Sequence, residues 1–422
     1  MISYKAMNVN SAAQLLQTGF RTTLGASSAI AELLNNPQKL ADILAKPPGS
    51  PEQILQDLAA RGESIEQEAH KFGETFLSGG SNRSKPPQYI ERPNEQCFLQ
   101  PYDIKGTHLY GFVLESSLHQ LQNLCDKYLN NLANGQVEYR PATHYIILTF
   151  GTIDSLASRE KPDRDRGYID EQEVVIWMLT MVGKQCGPVF KIDRFAWFVP
   201  YIFVSNSPAL VSGREVYGIP KEISGFKIPL INNYLQEPFS LHTYTWKTLT
   251  AQTEAKWEQL IRVSSKNVES KNQLPKIWAS YSEAVTNITQ LLFANEGIIE
   301  IPGLWLPLNL LEYLLNAEIP VVMLKQFRDE ENGKQACYQA IVEIPMKVSK
   351  FHAGRLLSFE SLGSQFEVTF YDFASHPIVK DLGLSKGSSQ PDQPVNIQPK
   401  LAFWLNFDFT VENGTAVWKA HS

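Results

Sequence analysis

The chain has little cysteine, no long apolar run and no surplus of positive charge, and each shortage excludes something. Its four cysteines, Cys97, Cys125, Cys186 and Cys337, stand too far apart for a metal knuckle or a redox pair. So few in 422 residues read as reduced thiols in a cytoplasmic protein. The longest apolar runs, such as Val174–Val182 and Phe195–Val204, are strand-sized and far short of a spanning helix. Residues Met1 to Phe20 show no basic stretch followed by an apolar core, so no secretory signal is expected. Lys and Arg number 38 against 44 Asp and Glu, a formal net charge of -6. Nucleic acid or an anionic membrane asks for a basic face, so neither is an expected partner.

Several motifs are also missing. There is no glycine-rich phosphate loop, no Gly-x-Ser-x-Gly elbow and no His-Glu-x-x-His. The eight histidines are scattered singly, and a lone one such as His108 or His144 reads as an ordinary core or surface residue. Asp163-Arg164-Asp165-Arg166 alternates in charge and reads as a solvated turn. No metal and no cofactor is expected.

What is present points to a β-rich protein with a helical leader. Hydrophobic residues make up 43% and aromatics 11%, enough for a sizeable core. Residues 1–80 have helical texture. Ser50-Pro51-Glu52 starts a helix with a capping hydroxyl, a first-turn proline and an acid at the positive dipole end. Ile65, Ala69, Phe72 and Phe76 then step by four, three and four along one face. The small, polar, proline-containing stretch Ser78–Pro87 breaks the pattern, and 81–94 reads as a linker. From about 95 to 422 the texture is strands, among them His108–Leu114, His144–Ile153, Glu173–Gly183, Phe195–Ser205, Ser240–Leu249, Val321–Phe327, Tyr338–Val348, Gln365–Phe373 and Lys400–Val411. Helices are expected at Leu118–Leu132 and Tyr281–Phe293. Few helices between strands predict a mainly β (α+β), antiparallel architecture.

One segment stands out chemically: Asn206 to Glu222, which reads NSPALVSGREVYGIPKE. It follows an apolar strand, its glycines and prolines fix a path, and the path ends on Lys221. Burial disfavours an ammonium, and a neutral amine attacks carbonyl carbon to form an imine. Taken from these residues alone, a solvated lysine after a turn is the plainer alternative.

Gly213-Arg-Glu-Val-Tyr-Gly-Ile-Pro-Lys221 resembles the signature of the acetoacetate decarboxylase-like superfamily, and Pro208-Ala209 before it is similar to the family's pattern. The likeness runs over about 95–422, interrupted by an apparent insertion at about 231–318. It implies an antiparallel β-barrel or cone, a homo-oligomer, and Lys221 as the imine-forming residue. It also implies a site carboxylate in the stretch Tyr168-Ile169-Asp170: Asp170, or Glu171 if the register slips by one. Arg214, Glu215 and Tyr217, inside the motif, become candidate substrate-binding residues. The sequence departs from the family at three places. Glu222 stands where a second lysine is usual, Thr107 near a substrate-holding arginine, and Gly151 near a second glutamate. The aromatics Trp177, Phe195, Trp197, Phe198, Tyr201 and Tyr217 are candidates for the lining of the barrel, with about half expected to face elsewhere.

The resemblance implies a Schiff-base lyase acting on a small keto acid, with decarboxylation as the first expectation. Lys221 would form the iminium, and Asp170, Glu171 or Glu222 would handle a proton. Aldol-type or dehydration chemistry, or a non-catalytic ligand-binding role, are the alternatives. An enzyme should hold Lys221 in an apolar pocket with a few carboxylates. A binding module should instead pair Lys221 with Glu222 and lack a cavity.

Overall fold

The computed structural model describes residues 88–92, 95–187, 189–265, 276–293, 319–359, 365–384 and 393–420. The helical segment expected over 1–80 and most of the 81–94 linker lie outside them.

Four long strands form the spine of the sheet: β1 (Tyr102–Glu115), β2 (Glu138–Ser158), β3 (Ile169–Cys186) and β4 (Val189–Val204), each antiparallel to the next. The apolar run in β3 is unbroken rather than alternating because both faces of the strand are covered. Val174, Ile176, Met178 and Val182 enter one core, together with Phe112, Phe150 and Phe203. Val175 enters a second core with Ile153, Ile202 and Met323. Each such side chain contributes about 1.5–3 kcal/mol by leaving water. The spine is therefore a wall between two apolar compartments.

The remaining strands extend that wall. On the β1 side lie β14 (Leu401–Val411), β11 (Met346–Phe359) and the short β8 (Ile277–Trp278). On the β4 side lie β5 (Lys221–Lys227), β6 (Phe239–Thr245), β7 (Lys256–Ser265), β12 (Phe366–Phe370) and β13 (Val395–Ile397). A branch adds β9 (Val321–Arg328), β10 (Ala336–Ile344) and β15 (Thr415–Lys419). The expected helices are found. Leu118–Cys125 (α1) is continued by the turns Asp126–Asn130 and Asn131–Ala133, and α3 spans Tyr281–Phe293; between them the short α2 is Ser207–Ser212, and α4 (Ile378–Leu382) follows. Strands β6 and β7 fall within the 231–318 segment and belong to this sheet.

Two features correct the expected antiparallel barrel. The sheet is not closed: among the described residues its terminal strands, β13 and β8, do not pair with each other. It also forks at β4, whose free edge serves two partners, both parallel. Ile202–Val204 pairs with Lys221–Ile223 of β5, and Trp197–Phe198 pairs with Val321–Val322 of β9. One strand edge shared between two neighbours sends the sheet in two directions. No helix among the described residues is long and apolar enough to cross a membrane.

Candidate active site

Lys221 is delivered by a short, strongly determined path. Asn206 caps α2, its Oδ1 accepting the Ala209 amide at 2.8 Å, with Pro208 in the first turn. A wide helical turn, Gly213–Tyr217, follows and stops at Gly218 with φ +76°, a conformation that glycine adopts without penalty. The Gly218 amide donates to the Arg214 carbonyl (3.1 Å) and the Ile219 amide to that of Gly213 (3.0 Å). A methyl at 218 would stand 2.3 Å from the Lys325 backbone, so the position excludes a side chain on both grounds. Ile219-Pro220 then turns the chain into β5, whose first residue is Lys221.

The lysine enters the second core, where it lines a cavity of about 160 Å³. It is 8% exposed, and its Nζ donates to Glu171 Oε1 at 3.0 Å; Glu171 is 2% exposed. The stem lies over Gly213, where a methyl would come within 2.6 Å of Lys221 Cδ. Glu171 and the next residue on its face, Glu173, both line the cavity, as do Ile169, Val175 and Trp177 of the same strand. Burial, reinforced by the neighbouring Glu171 charge and partly offset by Lys221, pushes Glu173 up from an ordinary 4.5 to about 7. The site thus holds the hydrogen-bonded Lys221–Glu171 pair beside a carboxyl that burial biases toward its protonated form.

Thr107 is aimed into this cavity by an irregularity in β1. The pairing with β14 slips between Ile104 and Thr107, with Gly106 at φ +64° in the slip. Such a slip re-aims the following side chains, and Ile104, Thr107 and Leu109 all line the cavity. Thr107 is 1% exposed, and its Oγ1 has no hydrogen-bond partner.

The structure brings together some of the expected residues and separates others. Lys221, Glu171 and Tyr217 line the cavity; Tyr217 presents its ring, since its hydroxyl donates to the Glu412 carbonyl at 2.9 Å. Asp170 does not: it is exposed, because odd-numbered residues of β3 face the cavity and even ones face away. Glu222 also points away from the cavity, for the same reason of strand parity. Its Oε2 lies 2.9 Å from Nε2 of the buried His376, whose Nδ1 is 2.8 Å from Ser375 Oγ. Arg214 and Glu215 lie off the cavity. On a helical turn Gly213 and Tyr217, four apart, share the inner face, and Arg214 is exposed with Nη1 donating to the Lys221 carbonyl at 3.1 Å. Of the six expected aromatics, Trp177 and Tyr217 line the cavity. Glu173 was missed by the sequence reading. The signal for it was the two-residue step Ile169, Glu171, Glu173, Val175, Trp177 leading into an apolar strand. Among the described residues no group of three or more His, Cys, Asp or Glu is placed to hold a metal ion.

No family model and no curated protein matches the sequence. Among solved structures the backbone is similar to the acetoacetate decarboxylase of Legionella pneumophila, with 11% identity over 80% of this chain and 94% of that one at a TM-score of 0.46. It is similar to another acetoacetate decarboxylase at 10% identity, over 79% and 97% of the two chains and a TM-score of 0.45. It is also similar to the enduracididine biosynthesis enzyme MppR in complex with pyruvate, at 11% identity, 81% and 99% coverage and a TM-score of 0.43. The chemistry open to this chain follows from its own side chains.

Proposed function

We propose that this protein is an imine-forming lysine enzyme that acts on a small carbonyl compound, with Lys221 as nucleophile. The observation that carries the reading is the placement of Lys221 Nζ 3.0 Å from Glu171 in an apolar cavity, with Glu173, whose pKa burial raises, on the same wall. An ordinary surface lysine has no such surroundings, and the pairing with Glu222 expected of a non-catalytic scaffold is absent.

Glu171 takes a proton from Lys221 through their hydrogen bond, and the freed amine adds to the substrate carbonyl carbon. The carbinolamine hydroxyl takes the proton held by Glu173 and leaves as water, which yields a protonated imine. The iminium nitrogen then accepts the electron pair of a bond broken one carbon away from it. In a β-keto acid that bond leads to the carboxylate: carbon dioxide departs and an enamine remains. Protonation at carbon and hydrolysis release a ketone and restore the lysine. Decarboxylation is the reaction implied by the Lys221 motif.

A second reading, aldol cleavage or dehydration through the same iminium, is favoured by the charges of the wall. Among the described residues that line the cavity Lys221 is the one cation, and two acidic groups, Glu171 and Glu173, line it too.

The test is reductive trapping. The protein is incubated with small α- and β-keto acids, ketones and aldehydes, reduced with borohydride, digested and weighed. An adduct on the Lys221 peptide, absent from Lys221→Met, is the expected result, and its mass separates decarboxylated from intact substrate. No adduct with any carbonyl compound up to pH about 10, where an unperturbed lysine is substantially neutral, would sink the proposal.

A further inference from the structure

We infer, on the reading of Lys221 as the imine-forming residue, that the preferred occupant of this cavity is an uncharged, mainly apolar aldehyde or ketone rather than a keto acid. The first ground is charge. Among the described residues the cavity is walled mainly by Ile, Val, Met and Phe side chains, and its single cation, Lys221, already has Glu171 3.0 Å away. After imine formation the balance is the same: Glu171 holds the amine proton, and Glu173, having given up its own, is the counter-charge of the iminium. A substrate carboxylate would be a third acidic group around one positive charge, in surroundings that cannot solvate it. A carboxylate buried without its own cation is strongly disfavoured.

The second ground is the supply of hydrogen bonds. A bound carboxylate asks for several donors, and among the described residues the hydroxyl and indole donors of the wall other than Thr107 are already engaged. Ser212 Oγ takes the Phe98 amide at 2.9 Å and lies 3.4 Å from the Gln96 carbonyl. The Tyr217 hydroxyl donates to the Glu412 carbonyl, the Tyr102 hydroxyl to the Phe98 carbonyl at 2.5 Å, and Trp177 Nε1 to Thr149 Oγ1 at 3.0 Å. Thr107 Oγ1, buried and without a partner, is left over. One hydroxyl suits one neutral polar group on an otherwise apolar molecule, such as the carbonyl oxygen of the incoming ketone or the carbinolamine hydroxyl that succeeds it.

Size completes the class. An apolar cavity of about 150 Å³ accepts a benzene-sized guest. The 160 Å³ here therefore matches a ring or chain of roughly six to ten non-hydrogen atoms. With such a substrate the bond broken at the iminium stage is carbon–carbon in an aldol cleavage, or the α carbon–hydrogen bond in a dehydration, whose enamine then expels the β hydroxyl as water on protonation. Glu171, having received the amine proton, is the group beside the nitrogen that returns it.

The experiment uses matched probes on the full-length protein. Methyl pentyl ketone and benzaldehyde are the uncharged ligands, and α-ketoheptanoate is the charged ligand of equal chain length. Borohydride trapping at Lys221 is titrated against each. The uncharged probes are expected to half-saturate trapping at concentrations at least about tenfold lower than the keto acid. Thr107→Val, which removes the hydroxyl at nearly constant volume, is expected to raise the half-saturating ketone concentration about threefold to tenfold. Equal or better trapping of the keto acid overturns the inference and leaves the imine reading standing. So does turnover of freshly prepared β-ketoheptanoate with release of carbon dioxide. If no probe is trapped, the imine reading fails, and calorimetry with the same probes decides the occupant separately. Tighter binding of methyl pentyl ketone than of α-ketoheptanoate upholds the uncharged occupant; binding of the acid alone, or of neither, overturns it.

Discussion

Gly151 stands opposite Glu173 in the β2–β3 ladder, and the Glu173 side chain occupies the ground that a larger residue at 151 would claim. A methyl at 151 would lie 3.4 Å from Glu173 Cγ and 3.6 Å from its Oε1. The sequence reading saw in Gly151 the loss of a carboxylate. A carboxylate of the neighbouring strand, Glu173, lies beside that position. Gly151→Val, with two further carbons, is expected to displace Glu173. Trapping at Lys221 should then slow at least about tenfold while the melting temperature stays within a few degrees.

The raised pKa of Glu173 gives a signed prediction for stability. The unfolded chain releases this proton near 4.5 and the folded one near 7. Between those values the native state binds more protons than the unfolded state, so stability falls as pH rises from about 4.5 to about 7 and levels off above. Glu173→Gln carries no ionisable group and should lack this component. Above pH 7 it should be the more stable form, by on the order of 2 kcal/mol, in urea titrations repeated across the pH range.

The buried pair Lys221–Glu171 predicts strong non-additivity. Removing one partner leaves a desolvated charge, so Lys221→Met and Glu171→Gln should each cost about 3–5 kcal/mol. The double variant should recover most of that loss. Additive effects in a urea-unfolding cycle would show that the two side chains do not face each other.

Gly213 is expected to accept no side chain. In Gly213→Ala the new methyl would press on Lys221 Cδ and Cε, at 2.6 and 2.9 Å in the present geometry. Overpacking of this kind costs about 1–3 kcal/mol, and displacement of a nucleophile by about 1 Å costs on the order of a hundredfold in rate. The trapping rate should therefore fall far more than the melting temperature. The reverse pattern would place the role of Gly213 in folding alone.

Glu222 and His376 should behave as a strap rather than as catalysts. Glu222→Gln and His376→Gln are each expected to lower stability by about 1 kcal/mol, because the Glu222 side chain is 44% exposed and solvent screens the pair. Trapping at Lys221 should stay within about twofold of the parent at saturating probe, since neither side chain reaches the cavity. A tenfold loss in Glu222→Gln with its fold intact would return Glu222 to the site.

Much of the scaffold was legible because its signals are local. β-branched and aromatic runs marked β1 to β4, and the α3 boundaries at Tyr281 and Phe293 agree with the structure. Short strands such as β8 and β13 carry too few residues to show a period. The fork at β4 was illegible because the pairing of Ile202 with Lys221, and of Trp197 with Val321, is a matter of distant contacts. In the site, Lys221 stood out through its motif. Asp170 was the wrong neighbour because a likeness in sequence fixes a stretch only to within a residue, whereas strand parity decides which side chain enters. Thr107 depends on a slip at Gly106 that no propensity reveals.

The parallel pairing of β5 with β4 makes the length of the connector between them a chemical quantity. Val204 pairs with Ile223, and Ile202 with Lys221, across a loop that must close over Asn206, α2 and Gly218. One residue more or fewer in that loop, with the strands still paired, would bring Pro220 or Glu222 to the place opposite Ile202. The amine would then turn outward toward His376, and a proline ring or an acid would stand in the cavity in its stead. The connector is a ruler: its sixteen residues, 205–220, decide whether this wall offers a nucleophile at all.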